Sequence, residues 1–264
     1  MSNIIFGSGG NDSVALVQWA IENGIKNLRV AYSNTGWAAD FWAERLDRFR
    51  ALVESNGGTY HEIPSEGMIE LVKRKKMWPQ NGKAFCSFEL KIKPAMEWLE
   101  IIDPNREAIC LVGIRREESA NRSQWPEWVE ESENHGGRSL HSPLVRHTEL
   151  DRNALILRAG FDVLPHRSME CYPCIPNASR PDIAMLDSDR IAAIEIYENE
   201  MGETSTGNKR YIFSTGGLIK KDGSVSKKKK KGAKGIRQVW QWSQTSNFVA
   251  GQSDIFCDSG YCGG

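Results

Sequence analysis

Two short stretches of this chain combine residue types that do chemistry. Ser8-Gly9-Gly10-Asn11-Asp12-Ser13 sets two glycines among hydroxyl, amide and carboxylate side chains. A turn of this composition at a helix start aims backbone N–H groups at one point, where a phosphate is stabilised. The glycines let backbone approach the ligand with no Cβ in the way. Ser8 and Ser13 add hydroxyl donors, and Asp12 could hold a metal ion against the phosphates. The simpler alternative is a helix start capped by Ser and Asp. No Gly-Lys-Ser/Thr follows, so the Walker pattern is excluded. The second stretch, Cys171-Tyr172-Pro173-Cys174, permits two thiolates on one metal centre. It reads equally as a zinc half-site, a redox dithiol or part of an iron–sulfur site. A zinc site needs two further ligands, and no second Cys-x-x-Cys exists. The other cysteines are Cys86, Cys110, Cys257 and Cys262.

The elements around these stretches define a fold class. Asn3-Ile4-Ile5-Phe6 reads as a strand that runs through the glycine turn into a helix from Val14 to Ile21. Leu28–Tyr32 repeats the theme and ends in Ser33-Asn34-Thr35-Gly36. A helix from about Ala38 to Glu54 follows, with Phe41, Leu46, Phe49 and Val53 near helical spacing, closed by Asn56-Gly57-Gly58. Thr59–Ile63 is a third strand and Ala108–Val112 a fourth, with Cys110 as core. Strand–helix alternation implies an α/β protein: a parallel twisted sheet with flanking helices, Rossmann-like, whose ligands sit at the strands' carboxyl ends. Residues 67–84 read as a basic, solvated helix end and loop, residues 125–138 as an acidic mobile loop, and Glu149 through Leu157 as a helix. Pro181–Gly202 reads as one helix, and Tyr211–Phe213 and Val239–Trp242 as short strands or ordered arms. Between them, 220–237 is a basic loop containing Lys227–Lys231. It is a solvated linker or an electrostatic hold on a nucleic-acid backbone, with Trp240 and Trp242 placed to stack bases.

Bulk properties restrict the class further. The 264 residues, 40% hydrophobic and 26% charged, suit a globular protein, with a catalytic domain expected over 1–180 and a C-terminal extension over 181–264. Net charge is zero, so no global field draws the protein to nucleic acid or membrane. No apolar run reaches the ~20 residues of a bilayer span. The chain enters a strand at once, so a secretory leader is not expected and a cytoplasmic location is. The six cysteines are then expected as thiols or metal ligands.

Taken in order, the motifs resemble those of the PP-loop, or adenine-nucleotide α-hydrolase, superfamily, which includes N-type ATP pyrophosphatases and phosphoadenosine phosphosulfate (PAPS) reductases. Ser8–Ser13 resembles its Ser-Gly-Gly-x-Asp-Ser loop. Cys86, Leu90, Lys91 and Pro94 resemble its Cys-x-x-x-Leu-Lys-x-x-Pro element. Gly113, Arg115, Glu118, Ser119 and Arg122 resemble Gly-x-Arg-x-x-Glu-Ser-x-x-Arg, and Pro143-Leu144 its Pro-Leu turn. Asn34 stands where many members carry Asp, and His147-Thr148 where Trp-Thr is usual. The resemblance implies nucleotide contacts at Ser8, Gly9, Gly10, Asn11, Asp12, Ser13, Asn34, Thr35, Gly36, Gly113, Arg115 and Arg122. It implies catalytic roles for Asp12, Lys91, Arg115 and Cys262. With the cysteine count, it implies a [4Fe–4S] cluster on Cys86, Cys171, Cys174 and either Cys257 or Cys262. The expected activity is an Mg²⁺-dependent ATP pyrophosphatase that adenylates an acceptor for thiolation, served by a sulfur or electron donor protein. The alternatives are a PAPS or adenosine-phosphosulfate (APS) reductase using a tail cysteine, and a non-catalytic nucleotide- or nucleic-acid-binding module. The intact loop argues for a ligand with a pyrophosphate tail, and so for ATP.

Overall fold

The structure is a computed structural model that describes residues 1–80, 82–203, 207, 209–213 and 233–244. In chain order its first elements are β1 (Asn3–Phe6), α1 (Asn11–Glu22), β2 (Leu28–Asn34), α2 (Trp42–Ser55), β3 (Thr59–Pro64) and α3 (Met68–Lys75). A helical turn, α4 (Phe85–Ser87), passes through a π-helical stretch (Phe88–Ile92) into α5 (Lys93–Ile102). Then come β4 (Ile109–Leu111), β5 (Trp128–Ser132), β6 (Arg138–His141) and α6 (Glu149–Arg158). The last helices are α7 (Arg180–Ala184), α8 (Ser188–Glu200) and α9 (Ile236–Ser243).

The chain divides into two compact units. The first comprises 1–67 and 86–171 and holds the whole sheet, in the order β3-β2-β1-β4-β6-β5. Every neighbouring pair is parallel except β5 with β6. The two-residue alternation of a strand sorts the core onto two faces. Ile5, Val30 and Leu111 lie in register and pack under Val14 and Val17 of α1, Phe49 and Val53 of α2, and Leu155 and Ile156 of α6. Ile4 and Cys110 face the other way, onto Leu99 of α5, and Ala31 and Ile63 meet Ala95 of the same helix. Each Val, Leu, Ile or Phe among them, fully buried, contributes roughly 1.5–3 kcal/mol. Cys110 is core, and burial pushes its thiol up to about 12, so it stays protonated.

Arg138 of β6 is fully buried and binds the carboxyl end of α5. Its Nε donates to Asp103 Oδ2 at 2.7 Å, and Nη2 donates to the carbonyls of Asp103 at 2.6 Å and Leu99 at 3.2 Å. Cationic donors belong at a helix carboxyl end, where carbonyls lack partners. Beside it His135 is buried, its Nδ1 paired with Ser132 Oγ at 2.8 Å. Burial, then the Arg138 charge, lowers the His135 pKa to about 4. The unfolded chain therefore binds this proton more readily between about pH 6.5 and 4. The resulting stability is fully present above pH 6.5 and is lost as pH falls towards 4. We expect His135→Gln to remove up to about 3 kcal/mol of the acid-side decline, read as urea midpoints of both proteins from pH 7 to 4.

Three expectations need correction. Residues 125–138 are not a free loop: Trp128–Ser132 pair with β6 as the sheet's antiparallel edge. Pro181–Gly202 is two helices, because Asp187 caps a new start, its carboxylate accepting from Arg190 N at 2.7 Å. Val239–Trp242 lies within helix α9, whose buried residues Ile236, Val239 and Ser243 fall on one face. The second unit comprises 68–85 and the described part of 172–254. In it Glu198 accepts from the N–H groups of Ile212 (2.8 Å) and Ile236 (3.0 Å), the latter opening α9. The Lys227–Lys231 run and most of the 220–237 loop lie outside the described residues.

Candidate functional site

From β1 the chain winds one way to β2 and β3, and from β4 the other way to β6. This reversal between β1 and β4 opens a crevice at their carboxyl ends, the usual ligand position of such sheets. The Ser8–Ser13 turn leaves β1 there, and Gly113 leaves β4. A Cβ on Gly113 would lie 3.0 Å from the Asp12 carbonyl oxygen, so glycine lets the β4 exit pack against the first turn of α1.

The turn is held from behind. Trp42 Nε1 of α2 donates to the Ser8 carbonyl at 3.0 Å, and Arg45 Nε to the Gly9 carbonyl at 2.7 Å. Gly9 takes φ +74°, a left-handed conformation. Ser13 Oγ accepts from Ser8 N at 3.0 Å, and Ser8 Oγ from Gly10 N at 3.3 Å. Thus both serine hydroxyls brace the loop. The Asn11 side chain is a staple: its amide donates to the Leu164 carbonyl and its oxygen accepts from Leu164 N, both at 3.0 Å. Gly10 supplies no side-chain cap to α1. The N–H groups of Asn11, Asp12 and Ser13 have no intrahelical acceptor, the arrangement by which a helix start attracts an anion.

Charged side chains flank the turn on two sides. On the β4 side, Arg115 Nε lies 3.2 Å from Asp12 Oδ1 and 3.5 Å from Glu118 Oε1. Arg122 pairs with the other oxygen of Glu118. Arg152 of α6 stands 3.8 Å from Asp12 Oδ1 and 3.2 Å from Glu149. Its approach is set by a capping box, in which Thr148 Oγ1 accepts from Asp151 N and Asp151 Oδ2 from Thr148 N. Burial pushes the Asp12 carboxyl above the usual range, and Arg115, Arg152 and Arg122 pull it back down. Both guanidiniums reach the same carboxylate oxygen of Asp12, Oδ1.

On the β1/β2 side lies a small cleft lined by Phe6, Gly7, Ser8, Ala31, Ala95 and Ser33, with Lys91 and Glu170. The π-helical stretch presents Lys91, which pairs with Glu170. Glu170 precedes Cys171, and this segment is tied to the turn after β2: Thr35 Oγ1 donates to the Glu170 carbonyl at 3.1 Å, and Ala39 N to the Met169 carbonyl at 3.0 Å. Cys171 Sγ lies 3.8 Å from Thr35 Oγ1. Asn34 works inside its own turn: Oδ1 accepts from Gly36 N at 2.9 Å and Nδ2 donates to Glu62 at 2.7 Å. Burial and the negative Glu170 push the Tyr32 hydroxyl far up, so it stays neutral.

Ser8–Ser13, Gly113, Arg115 and Arg122 are thus brought together on one side, and Lys91, Thr35 and Cys171 are joined by Glu170 on the other. Sequence reasoning missed Glu170 and Arg152. Glu170 had a signal in its position one residue before Cys171; Arg152, one turn into a helix, had none. Cys86 is buried, and Cys174 belongs to the second unit. Among the described residues no group of three or more His, Cys, Asp or Glu side chains is gathered to hold a metal ion. Of the cysteines expected to hold a cluster, Cys257 and Cys262 lie outside the described residues. No described helix is long and apolar enough to cross a membrane.

The chain is similar to several known proteins. An uncharacterized 37.8 kDa protein in the gpa 5' region of Escherichia phage 186 is 27% identical over an alignment of 276 residues, covering 81% of this chain and 79% of that one. Two solved structures overlap it at a TM-score of 0.45. A PAPS reductase from Candida auris, in complex with phosphate, is 16% identical and covers 62% of this chain and 75% of its own. The U34-tRNA thiolase NcsA from Methanococcus maripaludis, solved with its [4Fe–4S] cluster, is 15% identical and covers 76% of this chain and 67% of its own. Residues 2–174, which contain every sheet strand and both flanks of the loop, match the phosphoadenosine phosphosulfate reductase domain, and the chain belongs to that family.

Proposed function

We propose that this protein binds an adenine nucleotide by its phosphates at the Ser8–Ser13 loop and cleaves ATP to pyrophosphate, activating an acceptor for sulfur transfer. The observation that carries this reading is the uncapped first turn of α1, set at the β1/β4 crevice with arginines on one side and Lys91 on the other. The N–H groups of Asn11, Asp12 and Ser13 bind the β- and γ-phosphate oxygens. Arg115 and Arg122 offset the charge that grows on the leaving pyrophosphate. An acceptor oxygen attacks the α-phosphorus, the bond to the bridging oxygen breaks, and pyrophosphate leaves. A sulfur nucleophile then displaces AMP from the adenylated acceptor. Asp12 keeps Arg115 aimed at the loop. A nucleic-acid acceptor suits the basic 220–237 segment, most of which lies outside the described residues.

The family match favours a second reading, reduction of a phosphosulfate. There a thiolate such as Cys262 attacks the sulfonate sulfur, expels the adenosine phosphate and becomes an S-sulfonate, from which a second thiol releases sulfite. Supplying ATP or PAPS to the purified chain, with Mg²⁺, RNA and DNA acceptors and thiol donors, separates the two. Pyrophosphate release from ATP is expected, with Arg115→Ala lowering kcat/KM by about 100-fold. Sulfite from PAPS with no turnover of ATP would sink the pyrophosphatase reading.

A further inference from the structure

The charges on the β4 side of the loop balance among themselves. Three guanidiniums, of Arg115, Arg122 and Arg152, meet three carboxylates, of Asp12, Glu118 and Glu149. The carboxylates are not equivalent. Asp12 is almost wholly enclosed, with a side-chain exposure of 2%, and forms the floor of the site. Glu149 is largely exposed and touches only Arg152 among the three arginines. Glu118 lies between two arginines: Oε2 pairs with Arg122, and Oε1, buried and without a hydrogen-bond donor, stands 3.5 Å from Arg115 Nε; the side chain is only 12% exposed. It sits in the short 3₁₀ turn Arg116–Glu118, directly after the β4 exit that packs on the first turn of α1. One carboxylate set between two guanidiniums stands where a phosphate bridging them would stand.

We infer that Glu118 is an internal stand-in for a nucleotide phosphate: it keeps Arg115 and Arg122 in place while the loop is empty and gives them up to the ligand. The inference rests on the nucleotide reading above and adds a positioning residue to it. An incoming di- or triphosphate brings at least two negative charges into a poorly hydrated, already neutral cluster. Carboxylate and phosphate cannot both occupy the space between the arginines, and their repulsion is weakly screened there. Glu118 therefore weakens phosphate binding, while in the empty loop it adds a carboxylate to Arg115, which Asp12 also holds, and pairs Arg122.

The test is calorimetric titration of the full chain and of Glu118→Gln with ATP, inorganic pyrophosphate and adenosine. The amide keeps the size and removes the charge. The variant is expected to bind ATP and pyrophosphate about tenfold more tightly, with adenosine affinity unchanged and the gain shrinking in high salt. Equal or weaker pyrophosphate binding in the variant would make Glu118 a scaffold for the arginines and overturn the inference, leaving the nucleotide reading intact. Absence of ATP and pyrophosphate binding in both proteins would defeat the nucleotide reading and this inference with it. Should Glu118→Gln fold poorly, Glu118→Asp, too short to bridge both arginines, is expected to tighten pyrophosphate binding by a smaller factor; weaker binding would again overturn it.

Discussion

Replacing Arg138 by methionine is expected to lower the free energy of unfolding by about 3–5 kcal/mol, the largest loss from a single change outside the loop. Methionine fills a similar volume but donates nothing. The substitution strips Asp103, 13% exposed at its side chain, of its cation. It also removes the guanidinium donors to the Leu99, Asp103 and His135 carbonyls, of which the first two keep the N–H groups of Asp103 and Arg106. A buried donor or acceptor left unsatisfied costs about 1–3 kcal/mol. Asp103 keeps the N–H groups of Glu107 and Ala108, at 3.2 and 3.1 Å, so the loss stops short of complete unfolding. Urea denaturation at pH 7 checks this; a change under about 1 kcal/mol would show that the cluster is worth little more than a surface pair. Arg138→Lys, with one charged donor group in place of the fork, should recover only part of the loss.

Gly113→Val is expected to weaken pyrophosphate and ATP binding by at least about 100-fold while leaving the sheet folded. A Cβ there meets the Asp12 carbonyl oxygen at 3.0 Å and Asp12 Cβ at 3.3 Å, and valine adds two methyl groups beyond it. The neighbour is helix backbone, which cannot swing aside as a flexible side chain would. Either the first turn of α1 tilts or β4 withdraws from β1. Both spread the N–H groups and carry Arg115 away from the loop. Overpacking of this kind costs about 1–3 kcal/mol in stability, which the fold should survive. Titration calorimetry gives the affinity, and a urea midpoint separates lost binding from lost fold. Native affinity in a folded Gly113→Val would place the anion somewhere other than the β1/β4 crevice.

Much of the sheet was legible because its strands obey local rules. Ile4 and Ile5 face opposite sides, and β1, β2 and β4 carry apolar runs whose exits hold Gly, Ser or Asn. The loop, the Thr35 turn and Gly113 were legible for the same reason, each being the exit of such a run. The β5/β6 hairpin was not. Glu130 and Glu131 are exposed and Trp128 is half-exposed, so Trp128–Ser132 shows no buried alternation, and pairing to β6 makes it a strand. Trp240 and Trp242 misled in the other direction, two residues apart like strand residues although α9 buries Val239. The Lys91–Glu170 and Asp12–Arg152 pairs span 79 and 140 positions of sequence, and only the folded sheet brings their members together.

The two ends of the sheet also determine how it can meet other chains. A free strand edge is a row of open N–H and C=O groups that another chain can extend. Here β5 breaks its register between Val129 and Ser132 and places Glu130 and Glu131 in solvent. At the opposite edge, β3 is exposed at Thr59, Glu62 and Pro64, the last of which has no N–H to offer. Both margins are therefore blunted against growth by strand addition. The sheet is closed to accretion at both of its margins.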